Sequence, residues 1–231
     1  MNNNIYKLII IFISINNIEM LIPIDKIKKI LFANNIKING VLHIGAHDCE
    51  EKDLYNSLGI TDENIIWIDA LHFKVMQAQL NRIPNVYQSV ITDVDDSIIQ
   101  FNISNNIQSS SIYEFGTHLQ EHPHIHYFEK FMMNTITLDT FFKRNNIDAS
   151  KYDLWNIDIQ GAELLALKGS KSSIKYPKVL YLEVNEKQLY KNCALVGEID
   201  EFLLQINFKR VFTEITSHGW GDAIYIKTEI I

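Results

Sequence analysis

Five places in this 231-residue chain put a chemically capable side chain, or a bare backbone, at the end of an apolar run: His43-Ile44-Gly45-Ala46-His47, Asp69-Ala70, residues 89–93, residues 158–163 and Glu183-Val184-Asn185. Gly45 and Ala46 carry almost no side chain, so the backbone there can lie close against a ligand. Asp69 follows Gly45 by 24 positions, and a carboxylate at a strand end accepts hydrogen bonds from both hydroxyls of a ribose. The three-glycine dinucleotide fingerprint is absent. One glycine with one acid fits a nucleoside without a pyrophosphate, or else a plain strand end. Asp158 suits a base, or an anion that holds cofactor or substrate; it equally suits the cap of a helix starting near Gly161. Glu183 and Asn185 can bind acceptor hydroxyls or serve as caps. Glu163 falls in a first helical turn, where the dipole favours a carboxylate for structural reasons.

Two further groups carry chemistry. His118, His122, His124 and His126 crowd one segment, and the last three alternate as zinc ligands on one strand face would. Pro123 argues against a central strand, and no cysteine or carboxylate completes a ligand set, so an acceptor-binding lid without metal is expected. His218, before Gly219-Trp220-Gly221, reads as a pocket residue, with Trp220 either stacked on a sugar face or filling a tight turn. Ser109, Ser110 and Ser111 can bond a cofactor carboxylate or an acceptor, or form a solvated turn.

The elements that must position these groups alternate. Apolar strands are expected at 41–44, 65–68, 85–91, 153–159 and 178–184, with helices at 25–32, 50–58, 72–81, 139–145, 162–168 and 196–205. Residues 208–214 and 223–227 add a final strand pair. Such alternation implies a mostly parallel sheet covered by helices on both faces, with ligands at the carboxyl ends of the strands where their order reverses. The middle, 92–134, breaks the rhythm: a strand at 98–103, then loops and the polar, histidine-rich stretch 114–131. A long loop in a compact α/β domain is usually a lid or binding loop.

Composition narrows the classes. Lys plus Arg total 21 against 28 Asp plus Glu, a formal charge of 21 − 28 = −7, which excludes a phosphate-tracking nucleic-acid binder. The excess of Ile (38) and Asn (22) over Arg (3) follows A/T-rich codon usage, and with 47% hydrophobic residues the chain folds as a packed globule. Two cysteines, Cys49 and Cys193, read as reduced in a cytoplasmic protein. Residues 5–15 are largely apolar but fall short of the ~20 a membrane span needs. They also lack a basic leader and a small-residue cleavage site, so an N-terminal extension, 1–23, packing on a domain at 24–231 is expected rather than membrane targeting.

Four segments fix a resemblance. Val41-Leu42-His43-Ile44-Gly45-Ala46-His47-Asp48-Cys49-Glu50-Glu51, Asn156-Ile157-Asp158-Ile159-Gln160-Gly161-Ala162-Glu163-Leu164 with Leu167-Lys168-Gly169, Tyr181-Leu182-Glu183-Val184-Asn185, and His218-Gly219-Trp220-Gly221-Asp222-Ala223 resemble the FkbM family of S-adenosylmethionine-dependent methyltransferases, in family order. His43 stands where the commoner family pattern has an acid, which bears on how the amino end of the cofactor's methionine is held. The resemblance implies a Rossmann-like class I methyltransferase: a seven-stranded, mostly parallel sheet with the last strand antiparallel, S-adenosylmethionine as cofactor, and methyl transfer to oxygen, often on a sugar or glycan precursor. Methylation of an amine, or a non-catalytic binding role on the same fold, are the alternatives.

On this basis Asp158, Glu183 and His218 are the candidate catalytic residues. The candidate cofactor contacts are His43, Gly45, Ala46, His47, Asp69, Ala70, Ser89 and Asp158. Ser110, Ser111, Gln160, Asn185 and Trp220 are the candidate acceptor contacts. The expected partner is a small-molecule or glycan acceptor, with self-association left open.

Overall fold

A computed structural model describes residues 21–230. The packing element expected within residues 1–20 lies outside them. In chain order the elements are α1 (Ile24–Ala33), β1 (Val41–Ile44), α2 (Lys52–Ser57), β2 (Ile65–Asp69), α3 (His72–Leu80), β3 (Val86–Gln88), β4 (Val90–Ile91), β5 (Ile98–Ser104) and α4 (His118–Glu121). Then follow β6 (Tyr127–Ile136), α5 (Leu138–Arg144), β7 (Leu154–Ile157), α6 (Glu163–Lys168), β8 (Val179–Asn185), α7 (Val196–Gln205), β9 (Phe208–Ile215) and β10 (Trp220–Lys227).

The continuous apolar runs become central strands because both of their faces are covered. Leu42, Ile44, Ile66, Ile68, Trp155, Ile157, Leu180 and Leu182 pack on one side against Leu138, Phe141, Phe142, Leu167, Ile199 and Leu203 of α5, α6 and α7. Val41, Ile65, Trp67, Leu154, Val179, Tyr181 and Ile224 pack on the other against Ile27, Leu31, Tyr55, Val75 and Ala78 of α1, α2 and α3. Each buried Ile or Leu contributes roughly 1.5–3 kcal/mol, so the two clusters fix strand register and helix orientation together. Local signals agree: at the start of α5, Thr137 Oγ1 accepts the Thr140 N–H at 3.2 Å, with Asp139 in the first turn and Lys143 and Arg144 in the last.

Seven strands form the main sheet in the order β3-β2-β1-β7-β8-β10-β9, parallel except that β10 runs antiparallel to both β8 and β9. This is the Rossmann-like class I methyltransferase arrangement. The order reverses between β1 and β7, which places the ends of β2, β1, β7 and β8 around one crevice.

Two segments differ from the sequence expectation. Residues 85–91 are two strands, because Val86–Gln88 pairs with β2 while Val90–Ile91 pairs with β6 of a separate three-stranded sheet, ordered β4-β6-β5. Residues 114–131 are not one polar loop: α4 is followed by a ten-residue β6 that pairs antiparallel with β5. Most of β6 is exposed on both faces, so it lacks the period-2 apolar signal of a half-buried strand. Among the described residues no helix is long and apolar enough to cross a membrane.

Candidate active site

The strand-end crevice holds a cavity of about 310 Å³, within the usual size of a ligand pocket. Its floor is the first turn after β1. Gly45 has φ +92°, and its amide and that of Ala46 both donate to Ile68 O, at 2.8 and 3.0 Å. A Cβ at Gly45 would lie 1.7 Å from the Asp158 carbonyl oxygen, so glycine is required both by conformation and by the approach of β7. The turn also brings the His47 N–H to Asp69 Oδ2 at 2.8 Å, while Leu71 N–H reaches Asp69 Oδ1 at 2.7 Å. Both carboxylate oxygens are thereby oriented and each keeps a lone pair for a hydroxyl from the cavity. Burial raises the Asp69 pKa, against the two N–H donors, which lower it.

Past Gly45 lies a cluster of carboxyls. Asp158 opens onto the cavity, yet the protein around it desolvates it and raises its pKa. Glu183 is buried beside it, and burial together with the neighbouring Asp158 and Glu163 charges raises its pKa well above the ordinary value. Of the two, Glu183 is the more strongly biased toward its protonated form. Gln160 Nε2 bridges them, donating to Asp158 Oδ1 at 2.8 Å and to Glu183 Oε2 at 3.0 Å. Glu163 is structural: Oε1 accepts the Ile159 and Gly161 N–H groups at 2.9 and 3.1 Å, and burial pushes its pKa up to about 8. Ligand atoms of Asp158, Glu163 and Glu183 lie within 4.8 Å of one another, as do those of His47, Asp48 and Glu50. In the first group, amide and backbone N–H donors already supply the positive partners a cation would.

The opposite wall comes from the middle segment. The loop at 106–110, with Phe101, His118, His122 and Ile125, faces Leu189, Tyr190 and Trp220. The Phe115 ring stacks on His118 (4.2 Å between centroids) and on Tyr127 (3.9 Å). Burial, aided by His122 and His124, pushes His118 down to about 4, so the ring is neutral. His118 Nδ1 is buried without a partner among the described residues.

Of the expected site residues, the cavity lining contains Gly45, His47, Asp69, Ala70 and Asp158 from the cofactor set, and Ser110, Gln160, Glu183 and Trp220 from the others. Six stand outside the lining. His43 is buried on the α2 face, with Nδ1 2.9 Å from the Tyr55 hydroxyl and its ring 5.0 Å from Trp67. Ala46 is buried beneath the turn, and Ser89 lies in a neighbouring crevice with Oγ donating to Gln88 O at 2.6 Å. Ser111 Oγ donates to Gln160 O at 2.8 Å, so it supports the bridging residue from behind. Asn185 is buried with both amide atoms unpartnered among the described residues. His218 Nδ1 pairs with Glu121 Oε2 at 2.9 Å, and Trp220 rather than His218 faces the cavity. Residues not singled out from sequence, Glu50, Glu51, Leu71 and Tyr190, line it. For Glu50 and Glu51 the available signal was their place in the first strand-to-helix turn; Tyr190 had none.

A sequence profile of the methyltransferase FkbM domain matches residues 43–210, from β1 into β9. This chain belongs to the FkbM methyltransferase family. It is an S-adenosylmethionine-dependent methyltransferase. No curated protein sequence matches it. Among solved structures, this FkbM protein is similar to magnesium protoporphyrin IX methyltransferase from Synechocystis PCC 6803 with bound S-adenosylmethionine, at 11% identity and TM-score 0.43, covering 88% of this chain and 77% of that one. An O-methyltransferase from Bacillus cereus in complex with S-adenosylhomocysteine gives 12% identity and TM-score 0.46, covering 85% and 78%. An S-adenosylmethionine-dependent methyltransferase from Clostridium acetobutylicum ATCC 824 gives 8% and 0.46, covering 97% and 98%.

The residues present fit the cofactor of the FkbM family. Among the described residues the lining has a side-chain-free floor at Gly45, an oriented carboxylate at Asp69 for ribose hydroxyls, and carboxyls but no Lys or Arg to face a sulfonium and an ammonium. When bound, S-adenosylmethionine supplies an electrophilic methyl group with an excellent leaving group, so the protein's tasks are to align the acceptor, take its proton and exclude water.

Proposed function

We propose that this FkbM enzyme methylates a hydroxyl of a small, uncharged acceptor, such as a sugar or glycan precursor. The observation that carries this reading is the Asp158–Gln160–Glu183 arrangement at the cavity: a carboxyl held by one amide and open to the acceptor, beside a buried carboxyl pushed toward its protonated form. In this reading Asp69 and Ala70 after β2, with the turn of Gly45 and His47 after β1, hold the adenosine end of the cofactor. Asp158 accepts the hydroxyl proton as the methyl transfers, for about 10²–10⁴-fold in rate. Trp220, Tyr190 and Ser110 provide a ring face and hydroxyls for a polyhydroxyl acceptor.

The lining also speaks against anionic acceptors. Among the described residues Glu50, Asp69 and Asp158 face the cavity with no Lys or Arg, so a phosphorylated or nucleoside-diphosphate sugar meets repulsion. The same acidity favours a second acceptor class, an amino sugar methylated on nitrogen. Both readings place the enzyme in the cytoplasm, consistent with its two free, buried cysteines.

The test is to incubate purified enzyme with S-adenosylmethionine and a panel of neutral sugars, amino sugars and sugar phosphates, following S-adenosylhomocysteine release. The methylated atom is then identified by NMR. Turnover with neutral sugars and an O-methyl product is expected. Turnover confined to phosphorylated acceptors would sink the reading, and an N-methyl product would favour the second.

A further inference from the structure

The carboxyls around the cavity are not equally engaged. Asp69 accepts two backbone N–H groups, and Asp158 and Glu183 share the Gln160 amide. Glu50 Oε1 lies 2.8 Å from His47 Nδ1, and its Oε2 accepts the Asp48 N–H at 3.1 Å. Glu51 differs. It lines the cavity, and its Oε2 is buried with no hydrogen-bond partner among the described residues.

The described residues offer this oxygen no donor. The nearest basic nitrogen, His43 Nδ1, is 3.7 Å away, beyond hydrogen-bond range. That nitrogen is engaged by the Tyr55 hydroxyl, which itself accepts from Asn156 Nδ2 at 2.8 Å, and burial pushes the ring down to about 3, so it is neutral. A buried carboxylate without a donor is costly unless a ligand supplies one. Of the two cationic groups on S-adenosylmethionine, the sulfonium has no N–H, whereas the ammonium presents three donors. Position agrees as well. Besides its neighbour Glu50, the Glu51 carboxyl feels the charges of Asp158 and Asp222, which belong to the β7, β8 and β10 side of the crevice, while Asp69 ends β2 on the other side.

We infer that Glu51 binds the ammonium of the cofactor's methionine moiety, supplying at the start of α2 the negative charge that β1 lacks with His43 in place. This rests on the reading of the cavity as the cofactor site. It makes Glu51 a binding residue, and His43 part of the wall that holds Glu51 towards the cavity rather than a cofactor contact.

Isothermal titration with two probes tests it: S-adenosylhomocysteine, which carries the ammonium, and 5′-methylthioadenosine, which keeps the nucleoside and thioether but lacks the amino-acid part. Wild type is expected to bind the first more tightly. Glu51→Gln, nearly isosteric, is expected to weaken S-adenosylhomocysteine about ten- to hundredfold and to leave methylthioadenosine within about twofold. Retained methylthioadenosine binding also shows that the variant is folded. Equal losses for both probes, or no loss for either, overturn the role of Glu51 while leaving the cofactor site in place. Failure of wild type to bind either probe overturns both.

Discussion

The Tyr190 hydroxyl donates to Gln160 Oε1 and so decides which way the Gln160 amide faces. With its oxygen committed to Tyr190, the amide nitrogen must point at Asp158 and Glu183, and the residue that bridges the two carboxyls is set from the opposite wall of the cavity. Gln160 sits at φ +56°, and its carbonyl is held by Ser111 Oγ, so side chain and backbone are anchored from two elements. Tyr190→Phe removes the donor without changing the packing volume. The amide is then free to rotate, and kcat is expected to fall roughly three- to tenfold, the worth of one hydrogen bond, with little change in melting temperature. A Tyr190→Phe enzyme with wild-type kcat would show that the bridge needs no such anchor.

Asp158→Asn tests the proton acceptor itself. The substitution preserves shape and the neighbouring Glu183 carboxyl but removes the anion. A kcat reduction of about 10²–10⁴-fold is expected, with S-adenosylhomocysteine affinity, measured by calorimetry, within about threefold of wild type. If affinity collapses while the residual kcat at saturation is normal, Asp158 holds the cofactor instead of the proton.

How much of this was legible in the sequence follows from where each signal lives. The central strands were readable because burial on both faces demands unbroken apolar runs, and Gly45, Asp69, Asp158 and Glu183 were readable because they end those runs. β6 was not, since a mostly exposed strand paired with β5 carries no hydrophobic period. His43 lies on a strand whose alternation turns it to the α2 face, a direction set by packing with Tyr55 and Trp67. Tyr190 enters the site from a loop 30 residues beyond Gln160, and only the tertiary fold relates the two.

Gly45→Ala probes the floor of the cavity. The added methyl needs a positive φ and would meet the Asp158 carbonyl, a backbone atom fixed by the β1–β7 pairing. A loss of about 2–4 kcal/mol is expected, or roughly 5–15 °C in melting temperature by calorimetry, together with loss of S-adenosylhomocysteine binding. An unchanged melting temperature would mean that the strand ends can separate freely, contrary to the hydrogen bond of 2.9 Å from Asp158 N to Ile44 O.

The acidic cavity also sets a pH signature on stability. Burial holds Glu51 and Glu163 at about 8, above the ordinary 4.5, so between those values the folded protein binds more protons than the unfolded chain. Their contribution to stability is therefore full below about pH 4.5, is lost as pH rises, and is gone above about 8. His43 acts in the other direction: held near 3 against an ordinary 6.5, it costs stability as pH falls through that window. Two acids outweigh one histidine above about pH 4.5, so the ligand-free enzyme is expected to melt progressively lower from about pH 5 to pH 8. Glu51→Gln removes one of the two acids without removing a hydrogen bond to Oε2, which has none. The variant should match wild type at pH 5 and exceed it at pH 8.5 by on the order of 1–3 kcal/mol, discounted for partial exposure, or several degrees in melting temperature. Parallel melting curves for the two proteins across pH 5–9 would mean that Glu51 is solvated and ionised throughout. Saturating S-adenosylhomocysteine should narrow the gap at pH 8.5, because an ammonium beside Glu51 stabilises the charge that Glu51→Gln removes.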